Sequence, residues 1–266
     1  MKKRLVCIVA IMLAVPAQAD DLGTAVKTDY DRHLAGLFEH FHRNPELSTV
    51  EYKTAERMAA DEPDPQRKSE LERIAAVCRW VPANSPRDFW EALQYYWFCH
   101  LAVITELNGW DAFNPGHHDR HLLPFYEHGL GDGMLSPEAA RELLEFFFVK
   151  FNNHPAPPKV GVTAAESGTS TDFANINLGG LLADGSDGSN ELSHLLLDII
   201  DEMHLLQPSS NIQLSRKSPD AFLKHALRVI RKGYGFPSIF NADTGVEEQL
   251  RQGKSLADAR CGGTSG

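Results

Sequence analysis

The chain is poor in cysteine, in basic charge and in long apolar runs, and each shortage closes off a class of protein. Four of its 266 residues are cysteine (Cys7, Cys78, Cys99 and Cys261), and no two of them form a C-x-x-C pair. Neither a disulfide framework nor a cysteine-based zinc site is indicated. Lys and Arg number 26 against 36 Asp and Glu, for a net charge of −10. A surface of that sign repels phosphate, which argues against a nucleic-acid partner. The apolar run at residues 5–15 is too short to cross a bilayer, which takes about 20 residues. Internal repeats and low-complexity tracts are absent as well. What remains is ordinary globular composition, 42% hydrophobic and 23% charged, with length for a sizeable core or two domains.

The first nineteen residues read as a secretory signal peptide. Lys2, Lys3 and Arg4 precede the apolar run, and Ala17-Gln18-Ala19 gives a small-x-small cleavage pattern before Asp20. Residues 29–60 follow as two helices, broken where Pro45 interrupts the Leu34, Leu37, Phe38, Phe41 periodicity. The polar, proline-containing stretch 61–68 is the best candidate for a domain boundary. The run Phe41-His-Arg-Asn-Pro-Glu-Leu-Ser48 with Glu51-Tyr52-Lys53-Thr54-Ala55 resembles the opening of the amidohydrolase/carboxypeptidase-type zinc peptidases. No downstream His-x-Asp or Glu-Glu pattern supplies their ligands, so His33, His40 and His42 are read as solvated or structural.

Past residue 68 the pattern becomes that of a larger domain. Helices are expected over 69–80, over 88–107 (apolar nearly all round), and after Ser136-Pro137-Glu138, where Ser is a good N-cap and Pro a good first residue. Three short apolar runs, 173–181, 210–215 and 236–240, read as strands. Helices at 190–206 and 221–232 separate them, the second capped by Ser218-Pro219 and stopped by Gly233. Alternating strands and helices predict an α/β fold with parallel strands. Thr244 is expected to cap a short helix at 246–249, and Ser255 another at 256–260. The cluster His117-His118-Asp119-Arg120-His121 invites a metal reading, but adjacent residues point in different directions and a metal needs converging donors. Cys78 and Cys99 read as small buried hydrophobes, and Asp119 with Glu106 as buried, hydrogen-bonded acids.

Several separately spaced motifs in residues 69–266 are similar to the glycyl radical enzymes, the pyruvate formate-lyase-like superfamily. They are Pro86-Arg-Asp-Phe-Trp-Glu-Ala-Leu-Gln94, Glu106-Leu-Asn-Gly109, Gly116 with Asp119, Leu178-Gly-Gly180, Gly235-Phe-Pro-Ser238 leading to Phe240 and Asn241, and Gly263-Thr-Ser-Gly266. The match is nearest to the isethionate sulfite-lyase, choline lyase and hydroxyproline dehydratase group. His117 stands where that family commonly has Arg, and Arg120 where it commonly has Gln. The resemblance implies a partial barrel of parallel strands with outer helices, preceded by the signal peptide and the short helical segment 20–60. It implies a lyase that breaks a C–S, C–N, C–O or C–C bond of a small polar substrate through a thiyl radical. No cofactor is bound in such enzymes; a radical-SAM activating enzyme installs a radical on a protein glycine. By the same resemblance Ser167, Asp172 and Phe173 line the substrate pocket, and a homodimer is compatible with it. In some members Gly-Thr-Ser-Gly leads directly to the thiyl Cys and its Glu. The resemblance therefore implies a fragment that is inactive as it stands, with no catalytic residue and no metal ligand of its own. Cys261, ahead of that run, does not fill the place. The leader implies export and the family a cytoplasmic enzyme. The alternatives are an exported amidohydrolase-like peptidase fragment and a non-enzymatic α/β domain.

Overall fold

The computed structural model describes residues 46–106, 114–153 and 174–262. The chain divides between Trp110 and Asp111 into two compact units, each described by itself.

The first unit is helical. Helix α1 spans Glu46–Asp61, α2 Pro65–Trp80 and α3 Phe89–Glu106. Helix α1 packs along α2, with the small side chains of Ala55 and Ala59 buried on its face and Leu71, Ile74, Ala75 and Cys78 buried on α2. The stretch 61–68, read as a boundary, is a tight connection: helix resumes at Pro65, and the Asp64 carboxylate caps it by accepting from Gln66 N at 3.0 Å. Asp88 caps α3 in the same way, accepting from Glu91 N at 2.9 Å. Glu91 itself is fully buried and pairs with Arg87 at 2.5 Å, whose guanidinium lies 4.0 Å from the Trp80 ring centroid. Helix α3 is buried nearly all round, from Phe89 through Leu93, Trp97, Phe98 and Leu101. Cys78 and Cys99 are buried as expected, and burial pushes the Cys99 thiol pKa up.

The second unit carries the sheet. Helices α4 (His118–His121), α5 (Leu123–Gly131) and α6 (Pro137–Asn153) lead into strand β1 (Asn175–Gly179). Helix α7 (Glu191–Met203), β2 (Ser209–Leu214), α8 (Asp220–Ile230), β3 (Ser238–Asn241), α9 (Ala242–Arg251) and α10 (Leu256–Cys261) follow. The three strands are parallel in the order β1-β2-β3, each joined to the next through a helix. This is the α/β arrangement the alternation implies. Among the described residues it is an open sheet of three strands: β3 lies at the edge, with Ser238, Ile239 and Asn241 exposed. Helix α7 buries Leu192, Leu196, Leu197 and Ile199, and α8 buries Phe222, Ala226 and Val229 at i, i+4, i+7 spacing.

Two expected caps are different in the structure. Helix α9 starts at Ala242, capped by Asn241, whose side-chain oxygen accepts from Thr244 N at 3.2 Å; Thr244 is not the cap. The strand runs straight into the helix, so the capping side chain is the strand's last residue. Ser218 does not cap α8: its hydroxyl accepts from Ser215 N at 3.1 Å, closing the turn before the helix. Ser136 and Ser255 cap as expected.

On the outer helices, His194 Nδ1 of α7 and His225 Nδ1 of α8 lie 2.9 Å apart with the rings stacked, and His225 Nε2 lies 3.0 Å from Asp198 Oδ1. Arg141 of α6 also reaches Asp198, at 3.6 Å. One proton fits between the two Nδ1 atoms; a second would set donor against donor. Burial, and then the neighbouring His225, lower the His194 pKa, with Arg228 acting in the same direction and Asp198 opposing. The unfolded chain therefore takes up this proton first on acidification. The stability the pair contributes is complete above the ordinary histidine pKa of about 6.5 and is lost as pH falls below it. Urea midpoints measured between pH 7.5 and 5 should fall, and His194→Gln should flatten that fall; an unchanged slope would refute the assignment. Separately, Phe222→Ala removes a fully buried ring and should cost about 3–5 kcal/mol of unfolding free energy.

Candidate active site at the polar face of the sheet

Strand side chains alternate between the two faces of a sheet. Here the alternation divides chemistry. Ile176 and Leu178 of β1 and Ile212 of β2 share one face and are fully buried. The other face carries Asn175 and Asn177 of β1 with Ser209, Asn211 and Gln213 of β2. The register sets Asn175 beside Ser209, Asn177 beside Asn211, and Asn211 beside Ser238 of β3. Asn177, Asn211 and Gln213 are at most 5% exposed. Burying amides costs free energy unless they are hydrogen-bonded, so each amide on this face needs a partner, as Gln213 has in Gly262 O.

The segment before α4 lies along the free edge of β1. Gly116 O accepts from Asn177 N at 2.7 Å and Asn114 Oδ1 from Asn175 N at 2.8 Å. This brings α4 to the carboxyl end of the strand. Asp119 is fully buried there, and its Oδ2 accepts from Gly179 N at 2.8 Å and from Ser193 Oγ at 2.5 Å. Its backbone oxygen accepts from Asn190 Nδ2 at 3.2 Å. Asn190 and Ser193 are also the capping box of α7. One carboxylate thus joins α4, the end of β1 and the start of α7. Burial raises its pKa to about 6, against the opposing pull of the Ser193 and Gly179 hydrogen bonds and the Arg120 charge.

Gly179 and Gly180 turn the chain at this point with φ of 71° and 81°, which favours glycine. A Cβ on Gly179 would come within 2.6 Å of the Phe222 ring. The Arg120 guanidinium donates to Gly179 O and fills the space above two glycines: a Cβ on Gly180 would lie 2.9 Å from it, and one on Gly188 2.5 Å. Two more cations are held by backbone carbonyls of the loop 182–188. Arg260 donates to Ala183 O at 3.0 Å, and Lys217 donates to Gly185 O. His117, 5% exposed, places Nε2 3.4 Å from Gly262 O, to which Gln213 Nε2 also donates at 3.2 Å. Burial, and then the Arg120 charge, take the His117 pKa down to about 3, so the ring is neutral.

The five residues 117–121 go to separate partners. His118 stacks on Phe147 with ring centroids 5.0 Å apart, and His121 is drawn to the Pro115 backbone. Burial lowers the pKa of His118 to about 3 and also lowers that of His121. No group of three or more metal-ligating side chains converges among the described residues. The pocket residues expected from sequence, Ser167, Asp172 and Phe173, lie outside the described residues, and so does the run 263–266. Strand pairing begins one residue after Phe173, where Ala174 O accepts from Ser209 N at 2.8 Å. Cys261 is exposed at the end of α10. Sequence reading missed the Asn177, Asn211 and Gln213 row. The signal was in the alternation Asn-Ile-Asn-Leu and Asn-Ile-Gln-Leu, which places every second residue on one face.

The family model for pyruvate formate lyase-like proteins matches residues 46–266. It takes in α1, hence part of the segment that resembles the zinc peptidases. The chain is 54% identical over 212 residues to trans-4-hydroxy-L-proline dehydratase of Clostridioides difficile, covering 80% of this chain and 27% of that protein. It is 30% identical over 208 residues to (2S)-3-sulfopropanediol dehydratase of Klebsiella oxytoca, covering 78% of this chain and 25% of that protein. In structure it is similar to the C. difficile hydroxyproline dehydratase crystallised with trans-4-hydroxy-L-proline, with a TM-score of 0.77 and 52% identity, over 82% of this chain and 28% of that one. The chain thus spans about a quarter of the length of the relatives it matches. The parallel sheet, its motifs and these likenesses agree: the chain belongs to the pyruvate formate lyase-like family of glycyl radical enzymes.

Proposed function

We propose that the chain is part of a glycyl radical dehydratase acting on a small hydroxylated amino or imino acid, with trans-4-hydroxy-L-proline the first compound to try. The observation that carries this reading is the gap in identity, 54% to the hydroxyproline dehydratase against 30% to the sulfopropanediol dehydratase. In such a reaction a hydrogen atom passes from a substrate carbon to a thiyl sulfur and the neighbouring hydroxyl leaves with a proton as water. The hydrogen atom then returns to the product radical. The net change is loss of one water, with no external oxidant.

Ser167, Asp172 and Phe173 belong to the pocket in this reading. Ser167 hydrogen-bonds the substrate, Asp172 pairs with its ammonium group, and Phe173 supplies the apolar wall that excludes water. The buried polar face of the sheet offers neutral amides rather than further charge. The 266 residues are not expected to turn substrate over by themselves. Activity belongs to the longer protein, activated by a radical-SAM partner and compatible with a homodimer.

The test is anaerobic activation of the full-length protein carrying this chain, followed by incubation with trans-4-hydroxy-L-proline, 3-sulfopropanediol, isethionate and 1,2-propanediol. An organic radical signal by electron paramagnetic resonance and loss of one water from hydroxyproline alone are expected. A radical signal without loss of water from hydroxyproline would overturn the substrate assignment. Phe173→Ala should lower kcat/KM about tenfold or more, as loss of an apolar pocket wall does, with the radical signal unchanged.

Asp119 is read here as the structural centre of the site, and its titration gives an independent measurement. Its folded pKa, about 6, lies above the ordinary 3.8. The stability that the bound proton contributes is complete below the ordinary value and lost as pH rises through 6. Asp119→Asn keeps an oxygen for Gly179 N and Ser193 Oγ without the charge. The urea midpoint of the Asn variant should therefore gain on that of the wild type between about pH 4 and 7. A difference that stays constant over that range would show that Asp119 is not buried as described.

A further inference from the structure

The carbonyl of Gly262 is held by two buried side chains that reach it from distant parts of the chain. His117 precedes α4 and Gln213 lies near the end of β2, yet their Nε2 atoms lie 3.4 and 3.2 Å from that one oxygen. Both side chains are at most 5% exposed. A carbonyl cannot donate, so the single proton of the neutral His117 ring sits on Nε2, and Nδ1 has no partner among the described residues. The Gln213 amide is oriented as well: a Cβ on Gly180 would lie 2.8 Å from its Oε1, so the absence of a side chain there makes room for it. Gly262 is the residue at which the chain leaves α10, with an extended backbone (φ −63°, ψ 135°). Helix ends need partners for their last carbonyls, and this carbonyl, the first beyond the helix, takes both of its partners from side chains.

We propose that His117 and Gln213 are positioning residues that act together on Gly262 O and fix the point and direction in which the chain departs from α10, over the carboxyl ends of β1 and β2. The proposal rests on the reading above only in taking the run that begins at Gly262 as the lead-in to a reactive loop. It also gives His117 a role: with Arg120 occupied at Gly179 O, an uncharged ring can serve Gly262 without placing a second cation beside the first.

Hydrogen exchange followed by mass spectrometry on the chain tests it without any need for activity. In Gln213→Met and in His117→Phe, amide exchange of the peptide covering residues 256–262 should rise about threefold to tenfold, the scale of one lost hydrogen bond. Peptides from β1 and β2 should exchange as in the wild type. His117→Gln, which keeps a donor, should restore slow exchange; a merely space-filling ring would not be replaced in this way. Unchanged exchange at 256–262 in the Gln213→Met, His117→Phe double variant overturns the proposal, and so does an equal rise across β1 and β2. In the full-length enzyme the same variants should lower kcat more than they change KM while the radical signal still forms. If the wild type does not dehydrate hydroxyproline, the substrate reading fails while the exchange result still decides the role of these two residues.

Discussion

The second unit depends on one buried carboxylate. Asp119 accepts from the amide that ends β1 and from the hydroxyl that opens α7, and its own backbone oxygen receives the Asn190 amide. A short helix, a strand and a long helix therefore share one acceptor. Each hydrogen bond to a charged group contributes about 1.5–3 kcal/mol, set against the cost of keeping a carboxylate from water. That opposition is visible in the titration: burial raises the pKa, and the hydrogen bonds and Arg120 pull it back. Apolar residues at this junction would pack as well but could not specify the register between strand end and helix start.

Glycine makes the rest of the arrangement possible, by size more than by flexibility. Arg120 lies over Gly180 and Gly188, where any side chain would meet its guanidinium at less than 3 Å. The cation can then come down onto the carbonyl of Gly179. The loop 182–188 is treated in the same way by Arg260 and Lys217. Two carbonyls of this loop are held by cations from α10 and from the turn after β2, and the carbonyl that ends β1 by the cation of α4.

Much of the second unit was legible in the sequence. The strand–helix alternation produces three parallel strands because each strand is joined to the next through a helix, which returns the chain to the same end of the sheet. The caps at Ser136 and Ser255 were legible because the capping side chain and its amide are three residues apart. Ser218 and Thr244 were misread because each had a second local option, a turn hydroxyl in one case and a strand-terminal Asn241 in the other. The polar face was harder still. Asn175, Asn177 and Asn211 lie inside stretches read as strands, but Asn is depleted in strands, and that they share one face shows only once the register aligns them. The roles of His117 and Arg120 were not legible at all, since their partners, Gly262 and Gly179, lie 145 and 59 residues away.

These contacts share a property that bears on chemistry. The Asp119 carboxylate is held by an amide and a hydroxyl, and Arg120, Arg260 and Lys217 are held by backbone carbonyls. Charges anchored to neutral dipoles keep their positions without neutralising one another. Where they are buried, salt screens them little. Beside them one face of the sheet carries the neutral amides and hydroxyls of Asn175, Asn177, Ser209, Asn211 and Gln213, with Phe240 beside Gln213. Asp119, whose pKa is raised toward neutral, sits at the strand end and is engaged by Gly179 N and Ser193 Oγ rather than lying on this face. In the reading proposed above, chemistry through hydrogen-atom transfer would gain from that restraint, because a reactive centre among mobile charges and water finds other partners.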